Sequence, residues 1–195
     1  MRLSVLCLLA SAVLPSLSRA EAPVFSITPV DSNIKFFVKA SVAIQGNFSK
    51  WDANLTFTSP DISTGVLDIK IAADTVNTGS GMKDNTLKGK DFFNVSQDPY
   101  ITFKSTKIVQ TGANTFEVDG KFTIRGVSKD EKLTLVVERN AQGDGGTIQG
   151  TMAFDRKEYG MTSGIPFIRI ADRVEVTVNL KAKRTSGPPV ELKKF

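Results

Sequence analysis

The chemistry open to this chain is limited first by two residue types. Histidine is absent, and the one cysteine, Cys7, lies in the apolar run at the start of the sequence. A Ser-His-Asp triad, a Cys-His pair and a zinc site of imidazole and thiolate ligands therefore have no members to draw on. Carboxylates, lysines and hydroxyls remain. Two carboxyl groups facing each other across a cleft at about 5–10 Å could hydrolyse glycosides. Here, however, Asp and Glu fall in turns or on the polar side of alternating runs. "DRKEYG" (155–160) brings Lys157 and Tyr159 together, a proximity common by chance. No GxSxG or phosphate-loop spacing occurs. These features predict a binding protein and not an enzyme, with no catalytic residue, no metal and no cofactor.

One stretch does concentrate reactive types. "KDNTLKGKDFFN" (83–94) packs five charges, a glycine and two adjacent phenylalanines between long strand-like runs. Residues 82–90 can make about two turns of helix between Gly81 and Gly89. Such a helix would lie across one end of whatever the strands build. Phe92 and Phe93 would plug or line that opening, and Lys83, Lys88 and Lys90 could meet an anionic group. Asp84 would steer a lysine or cap the backbone. An ordinary solvated helix anchored by its phenylalanines accounts for the same residues, and sequence alone leaves both readings open. "KEYGMTSGIPFIR" (157–169) is a second candidate lid, with Gly160 and Gly164 as hinges and Tyr159, Met161, Ile165 and Phe167 as its apolar surface. Arg156, just before it, is expected to pair with Asp155 or Glu158.

The elements that must position these segments alternate with period 2, which marks strands with one buried face. Eight such runs occur. "NIKFFVKA" sets Ile34, Phe36 and Val38 against lysines, with Phe37 in the polar register. "WDANLTFT" offers Ala53, Leu55 and Phe57; "VLDIKIAAD" offers Leu67, Ile69 and Ile71; "YITFKST" offers Ile101 and Phe103. "FEVDGKFTIR" offers Phe116, Val118, Phe122 and Ile124, and "KLTLVVE" offers Leu133, Leu135 and Val137. "TIQGTMAFD" offers Ile148, Met152 and Phe154, and "RVEVTVNLKAKR" offers Val174, Val176, Val178, Leu180 and Ala182. Gly120 and Gly150 fall in the apolar register, where a missing side chain permits a bend or close approach. Turn signals separate the runs, among them "TSPDISTG", "QTGAN", "RGVSKD" and "NAQGDGG".

The first twenty residues have a basic start, an apolar run from Leu3 to Leu14 and a small-residue site ending at Ala20. These features describe a secretory signal peptide cleaved after Ala20, so the protein is expected to be exported. Residues 21–184 then form one domain, and "TSGPPVELKKF" (185–195) is expected to be a flexible tail. Losing Arg2 and Arg19 leaves 23 basic against 20 acidic residues, a net charge of +3. So small and scattered an excess predicts no nucleic-acid partner, though transient membrane contact remains open.

Eight antiparallel runs in sequential hairpins favour a closed barrel over a sandwich, because closure removes exposed edges. Charges at mid-strand place the apolar set inside: facing lipid, each would cost about 2–4 kcal/mol. An eight-stranded interior is wide enough either to be filled by side chains or to hold one slender ligand. Periodicity does not separate a packed core from an apolar tunnel.

From Val24 to about Arg184 the chain resembles the YceI-like family of lipocalin-like, polyisoprenoid-binding periplasmic proteins. The resemblance is carried by "FSITPVDSNIKFFVKA", "GNFSKWDANLTF", "KDNTLKGKDFFNVSQDPYITFKS", "GKFTIRGVSKDEKLTL", "FDRKEYGM" and "DRVEVTVNLKAKR", in order and at matching spacing. It implies an all-β, eight-stranded antiparallel lipocalin-like barrel with a short helix between the third and fourth of the runs above. It further implies a long-chain apolar lipid, an isoprenoid or quinone-like molecule, in the interior, and often a homodimer. On that basis the ligand-binding residues are Phe36, Val38, Leu55, Phe57, Ile69, Phe92, Phe93, Phe103, Phe122, Ile124, Leu135, Met152, Phe154 and Val176. Candidate head-group contacts are Lys83, Asp84, Thr86 and Lys88. Thr86 stands where the family pattern has a histidine, and Ala40 and Ser41 occupy the region of a second. A threonine can donate a hydrogen bond there but carries no charge. A barrel that docks on a membrane partner without bound lipid is the alternative.

Overall fold

Period-2 alternation becomes alternating burial. Along the last strand Val174, Val178, Leu180 and Ala182 are buried while Arg173, Glu175, Thr177, Lys181 and Lys183 are exposed. The computed structural model describes residues 21–164 and 168–195. The expected signal peptide, together with Ile165 and Phe167 of the second lid, lies outside the described residues. The strands in chain order are β1 (Val24–Ala40), β2 (Ile44–Phe48), β3 (Trp51–Thr56), β4 (Val66–Ala72), β5 (Val76–Asn77), β6 (Tyr100–Gln110), β7 (Thr115–Ile124), β8 (Val127–Arg139), β9 (Gly145–Asp155) and β10 (Ile170–Ser186). One helix, α1 (Gly81–Lys88), lies between β5 and β6.

The named strands pair antiparallel in the order β10-β9-β8-β7-β6-β4-β3-β1, and β1 pairs back onto β10. Eight strands thus close a barrel, as the alternation predicts, and α1 sits in the predicted connection. The short β2 and β5 were not legible as strands. They continue the sheet from the second half of β1, whose first residue alone meets β3. Gly46, in the apolar register of β2, is why "IQGNF" does not read as alternating. A Cβ there would come within 2.8 Å of the Phe36 ring.

Two irregularities re-aim side chains. In β6 the register shifts between Ser105 and Lys107, so Thr106 and Lys107 are both exposed and Ile108 and Gln110 turn inward. Ser105, buried at that bulge, uses its hydroxyl to accept from Leu67 N at 2.9 Å. In β1 the chain loops out between Thr28 and Asn33, with Asp31 at φ 61°, and the Ser32 hydroxyl closes the bulge by donating to Thr28 O and accepting from Lys181 N. A bulge changes which face follows it.

The turn read as "RGVSKD" is shorter than expected. Arg125 (φ 53°) and Gly126 (φ 69°) alone connect β7 to β8, a two-residue hairpin with both φ positive whose twist matches the strands. The tail has defined partners. Glu191 forms a bridge with Asp61 and donates its N–H to Pro60 O at 2.8 Å. Lys193 is held from both sides by the Gln110 amide, and Leu192 packs on the core. Val190 and Leu192 supply the apolar contact that a purely polar, Pro/Gly-broken tail would lack.

Candidate functional site: two apolar chambers and their covers

The barrel interior is not one tunnel. Toward α1 lies a chamber walled by Phe36, Val38, Phe122, Ile124, Phe154 and Val176, with Phe92, Phe93 and Leu87 entering from the cover. Its enclosed free volume is ≈ 60 Å³, within ≈ 660 Å³ of space between atoms once the open approach is counted. At the other end, under the tail, a second chamber of ≈ 130 Å³ is lined by Phe25, Leu55, Phe57, Ile62 and Phe116. It continues into a space of ≈ 50 Å³ that reaches Leu135.

Between the chambers the interior is filled. Ile69, Phe103 and Met152, expected to line a tunnel, are buried, as are Val118, Leu133 and Leu180, and line neither chamber. Gly120 explains much of this waist. A Cβ there would lie 2.6 Å from the Phe103 ring and 2.7 Å from Lys104 O, so the absent side chain is replaced by the ring of Phe103. Gly150 likewise gives its space to Leu135, Leu133 and Val178. Both glycines thus serve the close approach that their place in the apolar register predicts.

The cover of the first chamber is built by α1 and the turn after it. Phe93 N donates to Leu87 O, Asn94 N to Gly89 O and Val95 N to Lys88 O, folding the chain back beneath the helix. This carries Phe92 and Phe93 inward, 4% and 8% exposed. Phe93 meets Phe36 edge-on at 6.5 Å between ring centroids and lies 5.9 Å from Phe48, in a geometry aromatic pairs prefer.

Asp84 and Thr86 have partners within the segment. Asp84 accepts from Thr78 N at 2.8 Å and from the Thr78 hydroxyl at 2.7 Å, and that hydroxyl is the main reason its carboxyl is held below the usual aspartate value. The Thr86 hydroxyl donates to Met82 O one turn back. Lys83 and Lys88 are half-buried and, among the described residues, make no ion pair with a carboxylate.

The second lid is organised by a buried cation. Arg156, 5% exposed and expected to pair with Asp155 or Glu158, instead reaches Asp172 at 3.0 Å. It also donates to the carbonyls of Met161, Ser163 and Ala171. Its partners lie on both sides of residues 165–167, so this one side chain pins the two ends of that connection. Lys157 shares Asp172 at 2.8 Å, and its hydrogen bond is the main cause holding that carboxyl below its ordinary value. Arg125 spans the two covers, donating to Gly160 O and to Lys90 O.

Tyr159 is fully buried against Phe122 and Phe154 at 5.5 and 5.2 Å, and its hydroxyl donates to Glu131 at 2.8 Å. Burial, then that bond, pushes the phenol well above its ordinary value, so it stays a neutral donor. Strand periodicity had no means of finding Arg156 or Tyr159, which are brought in by the three-residue spacing of a 3₁₀ turn, Arg156–Tyr159.

Comparison with known proteins agrees with this architecture. A "UPF0312 protein" of Pseudomonas aeruginosa is 29% identical over 124 residues, covering 60% of this chain and 63% of that protein. One from Yersinia pestis is 31% identical over 101 residues, covering 52% of this chain and 51% of the relative. The chain thus spans between half and two thirds of the curated relatives it matches. Among solved structures, the YCEI protein of Campylobacter jejuni is 26% identical with a TM-score of 0.60, covering 73% of this chain and 86% of that one. Burkholderia cenocepacia BcnA superposes with a TM-score of 0.72 at 24% identity, covering 80% and 99% of the two chains. A polyisoprenoid binding domain from Saccharophagus degradans shares the fold with a TM-score of 0.64 at 15% identity, over 83% and 99%. The pattern of the YceI-like domain matches residues 25–182, and the chain belongs to that family.

Proposed function

We propose that this protein is an exported, periplasmic holder of a long-chain amphiphile, an isoprenoid or quinone-like lipid, which it carries or stores without covalent chemistry. One observation carries the reading: an apolar chamber whose single charged wall residue, Arg156, already has its hydrogen bonds within the protein. Such a wall offers nothing to a polar solute. Each methylene taken from water contributes about 0.8 kcal/mol, so ten carbons supply a gross gain of roughly 8 kcal/mol before ordering costs. The fold shared with a polyisoprenoid binding domain supports the ligand class.

In the closed form the first chamber, at ≈ 60 Å³, is smaller than the roughly 150 Å³ cavity that admits one benzene. Loading therefore requires the cover to move, and Phe92, Phe93 and Leu87 are the side chains in the way. An anionic head group left at that mouth would meet Lys83 and Lys88. Native mass spectrometry of protein purified gently from its own compartment, followed by lipid extraction, tests the reading. A discrete added mass released as an isoprenoid or quinone supports it. A bare polypeptide with no uptake of offered lipids refutes it, and would favour a barrel that docks on a membrane partner.

A further inference from the structure

The chamber under the tail is the larger of the two, ≈ 130 Å³ against ≈ 60 Å³. Its cover is unusual in composition. Gln110 stands at an inward-facing position at the end of β6, buried to 5% exposure beside apolar neighbours. A buried amide needs partners, and its partners come from the tail and the adjacent turn. Its oxygen accepts from Lys193 N at 2.7 Å, while its nitrogen donates to Lys193 O at 3.2 Å and to Gly112 O at 3.1 Å. Glu191 N on Pro60 O is the other polar tie. Val190 and Leu192, both half-buried, reach over the opening. A few such ties and two partly buried side chains make a cover whose local opening free energy lies at the low end of the range within a fold.

The two chambers lie at opposite ends of one barrel, and the waist between them includes side chains, the Phe103 ring over Gly120 and a Leu133 methyl against Gly150. From these observations we infer that the C-terminal segment Pro189–Lys193 is a displaceable plug. It closes the far end of the ligand path and sets the longest chain the barrel holds before the tail must leave. This rests on the lipid-holding reading above. A short chain is accommodated at the α1 end. A longer one turns the waist side chains aside, enters the second chamber and competes with Leu192 and Val190 for its apolar wall. Release of the plug frees the Gln110 amide from Lys193 and opens a chamber whose lining includes Arg139 and Arg184.

The test offers the full-length protein a graded series of polyprenyl phosphates and reads binding by native mass spectrometry and amide exchange in the same samples. The Glu191 and Lys193 amides are expected to keep their protection with short chains. Above a threshold length they should exchange faster by roughly tenfold or more. Leu192→Asp, which sets a charge where the plug is apolar, should move the longest chain retained upward by at least one isoprene unit and leave short-chain binding unchanged. Protected tail amides at every length that binds would overturn the plug while leaving lipid binding intact. Absence of any bound lipid would instead refute the reading on which it rests. The exchange measurement uses the unaltered protein, so it stands even if Leu192→Asp fails to fold.

Discussion

Replacing Phe93 by alanine removes a ring that is 8% exposed and lies between Phe36 and Phe48 at the mouth of the first chamber. Truncating a buried phenylalanine costs about 3–5 kcal/mol, part transfer and part residual cavity. The upper half of that range applies if the site cannot collapse. Here α1 holds the segment by backbone bonds from Phe93, Asn94 and Val95, so collapse is restricted. In a protein of this size each kcal/mol lowers Tm by about 2–4 °C, giving a fall of roughly 6–20 °C. A urea titration should show the same loss in its midpoint with an unchanged slope. The space left is apolar and continuous with the chamber, so a bound chain can occupy it. Lipid-loaded Phe93→Ala should thus recover part of the loss, while Phe93→Leu should lose much less in the first place. A lipid-free Phe93→Ala protein within 1 kcal/mol of the parent would refute the claim that this ring is a packed plug. A loss unrelieved by lipid would refute the claim that it borders the ligand.

Arg156→Met keeps much of the volume but leaves the carbonyls of Met161, Ser163 and Ala171 without this donor, while Asp172 keeps Lys157. Because leaving a buried acceptor without its donor costs about 1–3 kcal/mol, thermal unfolding should show a loss of at least that size, and limited proteolysis should begin within residues 157–171. Gly120→Ala drives a Cβ toward the Phe103 ring and Lys104 O, an overpacking worth about 1–3 kcal/mol by chemical denaturation. No change there would mean that the waist is loose. Asp84 and Asp172 are both held below the ordinary aspartate value of 3.8, Asp84 chiefly by the Thr78 hydroxyl and Asp172 chiefly by Lys157. Their contribution is present above that value and is lost as pH falls through the lowered one, because the unfolded chain then binds more protons. With no histidine in the sequence, no side chain of ordinary pKa titrates between pH 5 and 8. The unfolding midpoint should be nearly flat across that window and fall below about pH 4. A step near pH 6.5 would contradict this.

The barrel and the identity of its inner face were legible because alternation is local: each strand states which side it buries, whatever its neighbours are. Phe36, Phe122, Phe154 and Val176 line the first chamber as that rule requires, and the doublet Phe92-Phe93 follows from two large apolar residues in an otherwise charged segment. The same rule failed where local pattern was interrupted. Gly46 hid β2, the bulge at Thr106 turned Ile108 and Gln110 inward, and a 3₁₀ turn carried Arg156 and Tyr159 into the interior.

The sequence by itself therefore determined that an all-β chain closes around an apolar interior, and that catalysis by histidine or cysteine has no place in the described fold. Only the tertiary structure decided what that interior holds. Whether a row of inward side chains leaves a tunnel or a wall depends on which residues meet across the barrel. Phe103 filling the space above Gly120, on the neighbouring strand, is such a meeting, and so is Gln110 clasping Lys193 from 83 residues away. Period 2 says which way a side chain points. It carries no information about what it meets there.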